Sequence, residues 1–153
     1  MIQMKHNISK ITFTLLFTLA TLQLSAQNVA GTYRSNFAIA GFFITTVKLN
    51  PDGTFERWLV GDMQRQRLQG KYTQKDGKLY LQIMQKKDAP VDLSATNVHS
   101  YALKKSGDIN YHLLYYIGKN RLYAHNDKTG KRVIKERNYA KNRKQKYYLK
   151  KVK

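Results

Sequence analysis

The 153-residue chain reads as an all-β protein: a single antiparallel up-and-down β-barrel of eight to ten strands, preceded by a cleaved signal peptide. Three observations predict this. Short runs of alternating apolar and polar residues recur every 8 to 12 residues or so, each closed by a turn containing Gly, Asp or Asn. No stretch of ten or more residues carries the 3.6-residue period of an amphipathic helix. Consecutive tight hairpins favour a meander that closes on itself, because closure removes unpaired sheet edges.

The leader comes first. Met1–Lys10 holds Lys5, His6 and Lys10 and no acid, and Ile11–Leu24 is a 14-residue apolar run. Leu24-Ser25-Ala26 then offers small residues to an export peptidase, so residues 1–26 read as a signal peptide cut after Ala26. The run is shorter than the roughly 20 residues that a spanning helix needs. Residues 27–153 form one domain, with room for one core.

Phe42–Leu49 is β-branched and aromatic and makes a strand. Asn50-Pro51-Asp52-Gly53 turns it, since Pro presets φ and Gly accepts positive φ, and Thr54–Val60 returns. After a break at Gly61-Asp62, Arg67–Gln74 places Leu68, Gly70 and Tyr72 on one face. A glycine inside a strand marks a bend or bulge, as small barrels need at corners. Lys75-Asp76-Gly77 turns the chain into Lys78–Met84, with Leu79, Leu81 and Ile83 inward and Tyr80 and Gln82 outward. Gln85–Thr96, with Pro90, is a loop. Val98–Lys104, Ile109–Ile117 and Arg121–His125 are strands, separated by turns at Ser106-Gly107-Asp108 and Gly118-Lys119. Asp127–Gly130 turns into a short strand, Lys131–Lys135, and Asn138–Gln145 reads as a basic loop. Lys146–Val152 is the last strand, and pairing it with Gly31–Arg34 would close the sheet.

Composition narrows the function. With no cysteine the chain has no disulfide, no thiolate metal site and no Cys nucleophile. It also lacks the cysteine that bacterial lipidation modifies, so the expected product is exported, periplasmic or secreted, and not lipid-anchored. Its core alone must hold it. Lys and Arg number 28 against nine acids, a net charge of +19. Residues 128–153 concentrate the excess, with 12 basic residues against Glu136. Such a block is attracted to anionic surfaces.

The order Gly31-Thr32-Tyr33, then Leu49-Asn50-Pro51-Asp52-Gly53-Thr54-Phe55, then Gly70-Lys71-Tyr72 and Lys78-Leu79-Tyr80-Leu81 resembles bacterial secreted lipocalin-like domains. These are calycin-type barrels, many from Bacteroidota. The match is strongest over Gly31–Ile83; beyond it only the strand rhythm agrees. The resemblance implies a barrel with a ligand-holding lumen and names no ligand. Tyr33 stands where lipocalins carry a Trp, and the sequence assigns no residue to the Arg that packs across that Trp.

Site candidates follow. Phe55, Trp58, Tyr72, Leu81, Tyr101 and Tyr115 are lumen-lining or core positions for a small apolar or amphipathic ligand. Arg137, Lys141, Arg143, Lys144 and Lys146 are candidates for binding a polyanion, an anionic envelope component or an acidic partner protein. Export argues against nucleic acid. His99, His112 and His125 are 13 residues apart. A two-residue turn at Gly118-Lys119 would set His112 opposite His125, close enough to share a metal, although no carboxylate cluster completes such a site. No nucleophile, phosphate-loop or zinc-protease motif occurs, and Asp52, Asp76, Asp108 and Asp127 all sit in turns. The chain is therefore expected to be non-catalytic and without a cofactor: an exported binding protein, or else an interaction protein using its basic C-terminal surface.

Overall fold

The structure, a computed structural model, describes residues 29–84 and 101–152. The leader at 1–26, the loop expected at 85–96 and His99 lie outside the described residues. The strands are β1 (Gly31–Ser35), β2 (Ile44–Leu49), β3 (Thr54–Gly61), β4 (Gln64–Lys75), β5 (Lys78–Ile83), β6 (Lys104–Ser106) and β7 (Ile109–Tyr111). They continue as β8 (Leu113–Gly118), β9 (Arg121–Asn126), β10 (Lys131–Arg132), β11 (Lys135–Asn138), β12 (Arg143–Lys146) and β13 (Leu149–Val152).

Eight of them close a barrel. The order is β1-β2-β3-β4-β5-β8-β9-β13, with β13 returning to β1, and every pairing is antiparallel. Closure rests on the expected last pair, with Tyr33 opposite Lys151 and Ser35 opposite Leu149. The fold is the predicted all-β up-and-down barrel, compatible with a lipocalin-like architecture.

The two ends differ. One carries tight turns. At Asn50–Gly53, the Asp52 carboxylate accepts from the Thr54 hydroxyl (2.6 Å) and N–H (2.9 Å), bonds that hold it below the usual carboxylate range. Asp76-Gly77 and Lys119-Asn120 make the others. The opposite end carries the longer connections: Asn36–Phe43, the chain between β5 and β8 with its β6–β7 hairpin, and the chain between β9 and β13 with its β11–β12 hairpin.

The buried side chains that pack together inside the barrel are Val29, Tyr33, Val47, Leu49, Phe55, Leu79, Leu81, Tyr115, Leu122, Tyr147 and Leu149. At the tight-turn end the Gly-x-Tyr motif has a steric reason. Lys151 lies across Gly31, where a Cβ would strike its Cε, and its Nζ sits 5.7 Å from the Tyr33 ring centroid. Gly31 also has φ +140°, a backbone conformation that L side chains rarely adopt. The Tyr33 hydroxyl donates to the Val29 carbonyl at 2.9 Å and Tyr72 to that of Asn50 at 2.8 Å, which ties down the chain at this end.

Four local expectations are corrected. Ile109–Ile117 is not one strand: Tyr111 packs outside against Tyr80 and Leu114, while Tyr115 joins the interior cluster, so the chain must change phase, and it does so at His112. Tyr80 points outward as expected but is buried, because Tyr111 covers it with ring centroids 5.4 Å apart. Within Val98–Lys104, residues 101–103 are not strand, and β6 begins at Lys104. Asn138–Gln145 is no simple loop: it closes the β11–β12 hairpin. Asn138 accepts from the Lys141 N–H at 3.2 Å and Asn142 takes φ 46°, which a short polar side chain tolerates.

Candidate functional site

Pairing register fixes what faces inward. Tyr33, Val47, Arg57 and Leu68 are successive cross-strand partners, as are Thr45, Leu59 and Gln66. Partners share a face, so Arg57 and Gln66 point into the barrel beside Phe55. Sequence reasoning missed both. The signal was present in Thr54–Val60, where Arg57 falls in the inward phase between Phe55 and Leu59.

Arg57 is held by two tyrosines. Its Nη1 donates to the Tyr101 hydroxyl at 3.2 Å, and Tyr101 donates onward to Gln66 Oε1 at 3.1 Å. The Tyr115 hydroxyl faces the same guanidinium. Burial opposes the charge, but the Tyr115 and Tyr101 oxygens outweigh it and raise the pKa, so Arg57 is a cation at all ordinary pH. Its Nε–H is buried with no hydrogen-bond partner among the described residues. The ion pairs among those residues are Arg67–Glu56, Lys104–Asp127 and His125–Asp127, and none includes Arg57. Tyr147 stands nearby, its hydroxyl pushed up to about 12 by burial and by Tyr115. It comes from the chain before β13, as Tyr101 comes from the chain before β6; both belong to the loop-bearing end.

The lumen candidates separate. Phe55, Leu81 and Tyr115 are 1, 0 and 5 % exposed, and Tyr72 packs against the same cluster, so these four are core. Tyr101 reaches Arg57. Trp58 is a correction: it alternates with Arg57, faces outward, and lies under the Arg67 guanidinium at 5.9 Å.

The histidine geometry is also corrected. The β8–β9 turn is Lys119-Asn120, one residue beyond the expected position, so Gly118 pairs with Arg121 and Tyr116 with Tyr123. A one-residue slip moves every partner, and His112 and His125 are not opposed. His112 Nδ1 instead accepts from the Ile83 N–H at 3.0 Å, and burial lowers its pKa. His125 contacts the Tyr116 hydroxyl at 3.3 Å, and burial lowers its pKa against the pull of Asp127. Among the described residues no three of His, Cys, Asp and Glu come together as metal ligands.

The basic candidates sit on the β11–β12 hairpin and its base. Arg143, Lys144 and Lys146 join Arg121, Lys135, Asn36, Gln145 and Tyr148 around an open groove of about 580 Å³. Asn36 fastens this region to β1 through the Lys146 carbonyl (2.9 Å) and the Tyr148 N–H (3.1 Å). Arg121 stacks on Tyr148 with Cζ 4.3 Å from the ring centroid. Arg137 is outside the groove, bonded to Asn142 and over Tyr139, and Lys141 is exposed in the turn. No protein-family model, curated protein or solved structure matches the chain.

Proposed function

We propose that this chain is an exported, non-catalytic binding protein of lipocalin-like type, which takes a small amphipathic ligand through the loop-bearing end of its barrel. The carrying observation is the difference between the two ends. The tight-turn end is closed by Val29, Tyr33 and Lys151, whereas the other end carries the longer connections over the charged Arg57, with Phe37, Ile39, Leu113 and Val133 as an apolar wall. Small-molecule sites combine such an apolar wall with a few polar groups. Lys151 over Tyr33 matches the role that the resemblance gives to an Arg over a Trp, and the basic leader with its 14-residue apolar run supports export. The test is binding of the neutral dye N-phenylnaphthylamine, expected to saturate at one site per chain and to be lost in Leu59→Trp, which fills the loop-end interior. Absence of saturable binding, or binding indifferent to that substitution, would sink the reading.

The groove favours a second reading, an outer surface for an anionic envelope component or an acidic protein. Five cations line it: Arg121, Lys135, Arg143, Lys144 and Lys146. Reversing Lys141, Arg143, Lys144 and Lys146 to Glu should abolish binding to anionic vesicles and leave dye binding intact. Vesicle binding that ignores ionic strength would count against this surface.

A further inference from the structure

Resting on the barrel reading, we infer that Arg57 is the anchor for a carboxylate, so that the ligand is an anionic amphiphile held head-inward at the loop-bearing end. A charge inside a barrel is costly unless it is paired. Arg57 has no acid partner among the described residues; the hydroxyls of Tyr101 and Tyr115, with Gln66 behind Tyr101, hold the guanidinium in place without supplying a carboxylate. Among the described residues, Glu136 bears on Tyr147 only weakly. One donor of the fork, Nε–H, is buried and finds no acceptor among the described residues. Leaving a buried charged donor unsatisfied costs more than a neutral one, and an anionic oxygen is the acceptor that removes both the unmet bond and the uncompensated charge.

The surroundings fit the head of such a molecule. Tyr101 joins Arg57 to Gln66 across β3 and β4. The Thr45 side chain faces the Tyr147 hydroxyl on the β2 side. Beyond this polar group the loop-end positions Phe37, Ile39, Leu113 and Val133 are apolar and partly buried. An alkyl chain would run along them, with the carboxylate at the guanidinium. The opposite polarity, a cationic amphiphile, would meet Arg57 head-on.

The experiment is competition against N-phenylnaphthylamine by dodecanoate, dodecanol and dodecyltrimethylammonium. Wild-type protein should bind dodecanoate roughly ten- to a hundred-fold more tightly than dodecanol, the range expected for a hydrogen bond between charged groups, and should reject the cation. Arg57→Met should erase the preference, bringing dodecanoate affinity down to that of dodecanol. Against loss of folding in that variant, wild-type protein supplies its own readout. The side-chain Nε–H resonance that Arg57→Lys removes should shift with dodecanoate and stay still with dodecanol. Equal affinity for acid and alcohol, or an unmoved Nε–H resonance, would overturn the anchor and leave the barrel reading intact. Failure of the dye and all three amphiphiles to bind would overturn both.

Discussion

Gly70→Ala tests the geometry that closes the barrel. Gly70 pairs with Phe55 on β3 and with Ile83 on β5, the point where β4 passes from one partner to the other. The strand bends there so that a Cβ would lie 2.9 Å from the Met84 nitrogen and 3.0 Å from the Gln82 carbonyl carbon, and closer still to the Gln82 oxygen. These are backbone atoms and cannot rotate away, so β5 must move outward. The Met84 N–H to Gln69 carbonyl bond, 2.9 Å long, stands in its path. Losing one or two such bonds at about 1 kcal/mol each, and loosening the packing of Ile83 and Phe55, gives a destabilisation of about 2–4 kcal/mol. The intrinsic gain from Gly to Ala in a strand returns less than about 1 kcal/mol. The assay is urea unfolding followed by far-UV circular dichroism. Gly53→Ala is the control, since nothing lies within 4 Å of its Cβ and only its φ of +82° is strained. It should cost about 1 kcal/mol. Gly70→Ala within about 0.5 kcal/mol of wild type would refute the steric argument.

Gly31→Ala should destabilise through displacement of the Lys151 stem, and Lys151→Ala should recover part of the loss in the double variant; strict additivity would show that the two do not touch. Tyr147 gives an alkaline limb to stability. Its hydroxyl is raised from 10.0 to about 12, so its contribution is complete below pH 10 and lost as pH rises toward 12. Tyr147→Phe should flatten that limb, and an unchanged slope would refute the assignment. His112 acts on the acid side. Its pKa is lowered from 6.5 by burial, so its contribution is complete above pH 6.5 and falls away as the medium becomes more acid. Protonation also removes the acceptor for the Ile83 N–H, so protection of that amide against hydrogen exchange should fall as the medium becomes more acid, while the Leu79 amide stays protected.

Most of the barrel was legible because its signals are local. Asn50–Gly53 and Asp76-Gly77 carry the turn residues that their backbone demands, and Leu79, Leu81 and Ile83 alternate as a half-covered strand must. Where two neighbouring phases compete, sequence reasoning failed. Ile109–Ile117 alternates well enough to pass for one strand, yet Tyr111 is drawn outward onto Tyr80 and the chain changes phase at His112. The one-residue error at Lys119-Asn120 had the largest consequence, since it dissolved the proposed facing of His112 and His125.

The candidate site was less legible than the fold. Trp58 looked like a lumen residue because it is large and aromatic; its phase puts it outside. Arg57 was passed over, since a charged strand residue is ordinarily exposed and only its inward phase pointed to the barrel. Tyr101 could not be connected to Arg57 at all, since the two are 44 residues apart and meet only after the chain between β5 and β8 returns to the barrel.

The sequence by itself determined the strand rhythm, the turns at Asn50–Gly53 and Asp76-Gly77, the cysteine-free reliance on a single core and the basic C-terminal block, because periodicity, turn chemistry and charge depend on near neighbours. Tertiary structure alone decided that Lys151 crosses Gly31 onto Tyr33, that the β11–β12 hairpin builds a basic groove against Arg121, and that Arg57 is a cation without an acid partner among the described residues. Those outcomes depend on which strands become neighbours and in what register, and register is set by the packing of residues far apart in the chain.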